Sequence, residues 1–202
     1  MAESIGFRSR NFRIEGIFEK GSGDKGAVIT HPHPLYGGNM HNYVVESLAR
    51  VYAEKGYATL RFNFRGTGNS QGNYDNGIGE QQDVLSAISY LRTKRKIETV
   101  DLAGYSFGAW VNAKINCKKA SVARMLMVSP PAGLMNFHPV SPIPRLKLVV
   151  SGTEDEIAPA GLIEEELIPL WNNKTPFELI EGANHFYSGY ISSLESILDK
   201  HI

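Results

Sequence analysis

The sequence predicts an α/β fold, a single domain over residues 1–202 with a mostly parallel sheet and helices on both faces. Three observations predict it. Apolar runs of strand length alternate with apolar residues at helical spacing from about residue 27 to the C-terminus. The residues that carry chemistry fall just after those runs, where an open parallel sheet gathers its functional groups. A length of 202 residues is also enough to bury one full core.

The elements follow in order. Residues 7–18 alternate apolar and polar, the pattern of an exposed antiparallel start to a sheet. Residues 27–30 are a short apolar run fit for a buried strand. Val44, Val45, Leu48, Val51 and Tyr52 then recur at helical spacing. Residues 57–64 read as strand and end at Arg65-Gly66-Thr67-Gly68, and Val84, Ala87, Ile88 and Leu91 mark the next helix. Strand 99–104 runs into a helix over 107–117, followed by strands at 124–128, 146–150 and 176–180. Helices at 162–171 and 190–202 complete the alternation. Residues 129–145 hold five prolines and read as a loop, too short for a second domain.

Composition excludes several classes of function. Lysine plus arginine and aspartate plus glutamate both total 21, so no net field draws the chain to nucleic acid or an acidic membrane. The charge runs at 92–96 and 164–166 are short and read as solvated faces. Cys117 is the single cysteine, placed as core, so no intrachain disulfide forms. The stretch from Met1 to Gly16 lacks a signal peptide's apolar centre, and no apolar run reaches the roughly 18 residues of a membrane span. The expectation is a cytoplasmic protein with no membrane span and no nucleic-acid partner.

The most informative segment is Gly104-Tyr105-Ser106-Phe107-Gly108, a Gly-x-Ser-x-Gly pattern where a strand turns into a helix. Such a turn exposes the serine hydroxyl and aims the helix N-terminus at the reacting centre. A serine hydroxyl needs a base to take its proton and an acid to orient that base. The order Ser, Asp or Glu, His is the one expected for this architecture. Ser151-Gly152-Thr153-Glu154-Asp155-Glu156 follows strand 146–150, and Gly182-Ala183-Asn184-His185-Phe186 follows the last strand. His185 alone among the six histidines stands directly after that strand, whereas His138 lies in the proline-rich loop and His41 opens a helix.

Together these motifs resemble the α/β-hydrolase superfamily, and in particular its small members without a lid, similar to dienelactone hydrolases and serine aminopeptidase-like proteins. Two further stretches fit. His31-Pro32-His33-Pro34-Leu35-Tyr36-Gly37-Gly38 stands where the family places half of its oxyanion hole, and 63–70 resembles its Asp-x-Arg-Gly-x-Gly-x-Ser loop, with Asn63 in place of the acid. The resemblance implies Ser106 as nucleophile, His185 as base and then acid, and Asp155 as the orienting carboxylate. Glu154 and Glu156 flank Asp155, and the Gly-x-x-Asp spacing favours Asp155. It also implies the amide of Phe107 as one oxyanion donor. Pro34 has no amide hydrogen, which makes Leu35 the candidate for the second, with Tyr36 behind it. Tyr36, Tyr105 and Phe186 are the candidate substrate-binding residues, and Leu35, Tyr74, Leu134, Met135 and Phe137 complete the expected walls of an open cleft.

The same residues admit rival readings. His31 and His33 could share a metal, as His-x-His does in metallohydrolases. The neighbouring prolines, and the lack of an Asp-His continuation, suit a rigid loop in which one of them bonds backbone. Residues 66–72 have the wrong glycine spacing for a nucleotide fingerprint. The expected chemistry therefore needs no cofactor and no metal: cleavage of a small-molecule carboxylic ester, thioester or lactone of small to medium acyl size through an acyl-enzyme. An aminopeptidase-like hydrolase and a non-catalytic binding protein of the same fold are the alternatives.

Overall fold

The computed structural model describes residues 2–202; Met1, the start of the N-terminal stretch and of the 1–202 domain, lies outside the described residues. Strands β1 (Ala2–Ser9) and β2 (Phe12–Glu19) form an antiparallel hairpin. The sequence alternation covers both strands but changes phase between them: Phe7 and Ser9 are buried on the first, Ile14 and Phe18 on the second. The slip falls at Arg10, whose φ of 51° turns the chain without a glycine or proline to mark it.

Beyond the hairpin lie β3 (Lys25–Thr30), α1 (Tyr43–Glu54), β4 (Ala58–Phe62), α2 (Ile78–Lys94), β5 (Thr99–Tyr105) and α3 (Phe107–Ala113). They are followed by α4 (Cys117–Ala120), β6 (Val122–Val128), β7 (Leu146–Gly152), α5 (Ile168–Asn172), β8 (Phe177–Ile180) and α6 (Ile191–His201). The eight strands make one sheet in the order β1-β2-β4-β3-β5-β6-β7-β8. The β1–β2 and β2–β4 pairs are antiparallel, and the pairs from β4 across to β8 are parallel.

Two apolar layers cover the sheet. Val44, Leu48 and Tyr52 of α1 pack with Leu194 and Leu198 of α6 on one face. Val84, Ala87 and Leu91 of α2, with Val111 of α3 and Trp171 of α5, fill the other. The central strands are therefore buried on both sides, which is why apolar residues dominate them on both faces. No helix among the described residues is long and apolar enough to cross a membrane.

Two expected helices are interrupted. The helix read over 107–117 stops at Ala113, and Asn116 starts α4 by accepting the Lys119 amide at 2.9 Å. The helix read over 162–171 opens as a π-helical turn (Leu162–Leu167) ahead of α5, whose second residue is Pro169. Residues 129–145 carry one 3-10 turn, His138–Val140, and no lid rises from them. The buried ring of Phe137 anchors this loop on Trp171, at 5.0 Å between centroids.

Candidate active site

β5 delivers Ser106 at a strained turn. Its φ of 53° and ψ of −121° lie where L-residues rarely sit, at a cost of about 1–3 kcal/mol. The turn is held from both sides: the Ser106 amide donates to the Val128 carbonyl of β6 at 2.9 Å, and Trp110 donates to the Ser106 carbonyl at 3.2 Å. Gly108 makes the turn possible. A Cβ there would stand 2.6 Å from Thr30 Oγ1 and 2.7 Å from the Thr30 carbonyl, so only glycine lets α3 start against the end of β3.

His185 enters from the loop after β8. Its Nε2 lies 2.9 Å from Ser106 Oγ, and its Nδ1 lies 2.9 Å from both Asp155 oxygens. A carboxylate only accepts, so Nδ1 carries the proton and Nε2 is left as the acceptor for the serine hydroxyl. Asp155 follows β7, and its Oδ1 also accepts the amides of Ile157 at 3.0 Å and Ala158 at 2.7 Å. Burial pushes the Asp155 carboxyl up, but the His185 bond and charge, with Ser129 and the Ala158 amide, outweigh it and hold it below its ordinary value. All three side chains are buried.

The loop after β3 is braced by both of its histidines. His31, fully buried, donates from Nδ1 to the Pro32 carbonyl at 2.7 Å and accepts the Phe64 amide on Nε2 at 3.0 Å. His33 accepts the Leu35 amide on Nδ1 at 3.2 Å, which leaves Nε2 to donate to Tyr74 Oη at 3.1 Å. Each ring nitrogen thus has a hydrogen-bond partner, and the pair is arranged as loop supports.

Leu35 departs from the expectation. Pro34 opens a short 3-10 turn that the His33 side chain caps, so the Leu35 amide is already engaged and the side chain points out, 67% exposed and away from the cleft lining. The Tyr36 and Gly38 amides bond the His33 carbonyl, and Gly37 bonds Pro34. His33 is the remaining residue of this loop that lines the cleft and has an amide hydrogen to offer. At the start of α3, Phe107 has no preceding turn to accept its amide.

Asn63, the departure from the motif, is supplied with a carboxylate from elsewhere. Its Nδ2 donates to Glu15 of β2 at 2.6 Å and its Oδ1 accepts the Met40 amide at 2.8 Å. Glu15 also takes the Asn69 amide at 2.7 Å. The acid that orders this loop has moved to another strand, which a motif comparison along one segment misses.

The cleft above Ser106 has a volume of about 690 Å³. Tyr36, Tyr105 and Phe186 line it as expected, and so do Leu134 and Met135. Tyr105 presents only its ring, because its hydroxyl donates to the His185 carbonyl at 2.8 Å. Tyr74 stands behind His33, and Phe137 is in the core. Sequence reasoning missed His33, Asn42, Pro131 and Ile157 as lining residues. Asn42 could have been found as a helix start, since its side chain caps α1 on the Val44 amide.

Residues 20–138 match the X-Pro dipeptidyl-peptidase (S15) family. The chain belongs to that family, within the α/β-hydrolase superfamily. An uncharacterized protein of Rickettsia prowazekii is 34% identical over 193 residues, 91% of this chain and 81% of its own. Among solved structures, an α/β serine hydrolase homologue from Coxiella burnetii is 32% identical with a TM-score of 0.91, over 99% of this chain and 97% of its own. A serine hydrolase without a lid from Xanthomonas campestris is 29% identical with a TM-score of 0.89, over 99% and 93%. Family and fold make this chain a hydrolase of the kind without a lid. The family match includes Ser106 and the loop after β3 and stops before Asp155 and His185.

Proposed function

We propose that the chain hydrolyses a neutral carboxylic ester, thioester or lactone through an acyl-enzyme on Ser106. The observation that carries this reading is the cleft lining: among the described residues it contains no aspartate, glutamate, lysine or arginine. An uncharged, largely apolar wall favours an acyl group without a fixed charge, since an unpaired charge in such a site loses its hydration.

The chemistry follows from the three side chains. Ser106 Oγ attacks the substrate carbonyl as His185 Nε2 takes its proton, and Asp155 stabilises the imidazolium on Nδ1. The carbonyl oxygen, now negative, is met by the amides of Phe107 and His33, each worth about 2.7–4 kcal/mol in the transition state. His185 then returns the proton to the leaving oxygen or sulfur as that bond breaks. Water repeats the sequence on the acyl-enzyme and frees Ser106. No cofactor is called for, and the substrate is a small molecule.

An aminopeptidase-like reaction, to which the family's name points, needs an anion for the substrate's ammonium group. Glu154 and Glu156 are exposed and stand outside the cleft lining. The experiment is a side-by-side assay of p-nitrophenyl esters from acetate to octanoate and X-Pro p-nitroanilides. The reading expects ester turnover that Ser106→Ala abolishes; turnover of the anilides with inert esters would overturn it.

A further inference from the structure

We infer that Tyr105 is a positioning residue that fixes the separation of Ser106 and His185. The inference rests on the triad reading above and adds a role that neither the motif nor the cleft lining assigns.

The base comes from a loop, residues 181–190, whereas the nucleophile is set on a strand. Their 2.9 Å contact therefore depends on where the His185 backbone sits. Tyr105 joins the two directly. It is bonded through its own peptide to Ser106, and its phenol donates to the His185 carbonyl at 2.8 Å. A closed ring results: Tyr105 to Ser106 along the chain, Ser106 Oγ to His185 Nε2, and the His185 carbonyl back to the Tyr105 hydroxyl. The Tyr105 ring lies beside the imidazole, at 5.5 Å between centroids and 32° between planes.

The bond is durable for physical reasons. Tyr105 is 2% exposed, so water cannot replace a lost partner. Burial, with the neighbouring Tyr187 and Tyr43 phenols and Asp155, pushes its ionisation far above the ordinary phenol range, so it remains a neutral donor. The next residues are tethered as well. Tyr43 donates to the Phe186 carbonyl, and the Tyr187 hydroxyl pairs with Ser129 Oγ at 2.7 Å. Those two tethers lead to α1 and to the residue after β6; the Tyr105 bond runs to the residue joined to Ser106 by a peptide bond.

Tyr105→Phe removes the hydroxyl and keeps the ring. The expected result is a kcat lower by about tenfold, the scale of one hydrogen bond, with KM within about twofold. The downfield proton resonance of His185 Nδ1–H, bonded to Asp155, should shift or broaden in the same variant. Tyr52→Phe is the control, an equally buried phenol that faces Asp101 at the start of β5. It should lower the melting temperature and leave both readouts alone. A folded Tyr105→Phe with unchanged kcat and resonance overturns the inference, as does an equal loss in Tyr52→Phe. Labelling of wild-type Ser106 by a fluorophosphonate separates the two claims. Labelling with an unaffected Tyr105→Phe sinks this inference alone, and no labelling sinks the triad and the inference with it.

Discussion

Phe64 donates its amide to Nε2 of the buried His31 at 3.0 Å, tying the loop after β4 to the loop after β3. A protonated imidazole would present a hydrogen to that same amide, so the tie exists only while His31 is neutral. Burial, with the nearby His33, lowers the His31 value to about 4 against the ordinary 6.5, although the Pro32 carbonyl opposes the shift. Between those values the unfolded chain binds the proton and the folded one does not. Stability is therefore complete above about pH 6.5 and falls as the pH drops toward 4, by about 3 kcal/mol for this group. Thermal melts from pH 7.5 to 4 should show the decline. His31→Gln should be less stable at pH 7 and lose less over the acid range; an equal slope in the two proteins would refute the assignment.

In the proposed mechanism Asp155 makes the imidazole a base by fixing its tautomer. Asp155→Asn keeps the shape and presents the wrong groups to Nδ1, so kcat on a p-nitrophenyl ester should fall by roughly 10³- to 10⁴-fold with the fold intact. The carboxyl lies below its ordinary value in the folded chain. Its stabilising contribution is thus present above the ordinary carboxylate value and disappears as the pH falls through the folded one. Acid melts of wild type and Asp155→Asn should converge there.

Gly108 allows no side chain. In Gly108→Ala the new Cβ meets the Thr30 carbonyl, part of a strand that cannot retreat. The expected loss is about 1–3 kcal/mol in urea denaturation, with much slower esterase turnover as the Ser106 turn opens. Full activity in this variant would show that the turn tolerates a wider geometry.

Arg65 holds the loop after β4 through three bonds to Asp83 of α2, from its amide and Nε at 3.0 Å and from Nη2 at 2.8 Å, in a buried pair. Removing one partner leaves a charge without compensation. Asp83→Ala should cost about 3–5 kcal/mol in chemical denaturation. A change below about 1 kcal/mol, the range of an exposed pair, would show that water reaches the guanidinium.

Much of this was legible in the sequence because the parallel strands are buried on both faces. Residues such as Val28, Leu102 and Val149 lie in largely apolar strands, and the residues proposed to carry the chemistry follow such strands. Ser106, Asp155 and His185 could be named for that reason, and the structure brings them within hydrogen-bond reach. What could not be read depended on contacts between distant segments. The Leu35 amide is taken by a side chain two residues away, a matter of local turn geometry. Glu15 supports Asn63 across 48 residues, and the Tyr105 hydroxyl finds a carbonyl 80 residues on. Neither partner leaves a mark in the local pattern. The phase slip at Arg10 was visible in principle, since the buried positions change parity there.

The central claim is that Ser106 is an activated nucleophile. It is tested most directly by exposing the purified protein to a fluorophosphonate probe, then measuring intact mass and mapping the modified peptide beside Ser106→Ala. The account predicts one adduct, on Ser106, absent from the variant. A folded wild-type protein that takes no adduct, or takes it on another residue, would contradict the account and favour a ligand-binding role for the cleft.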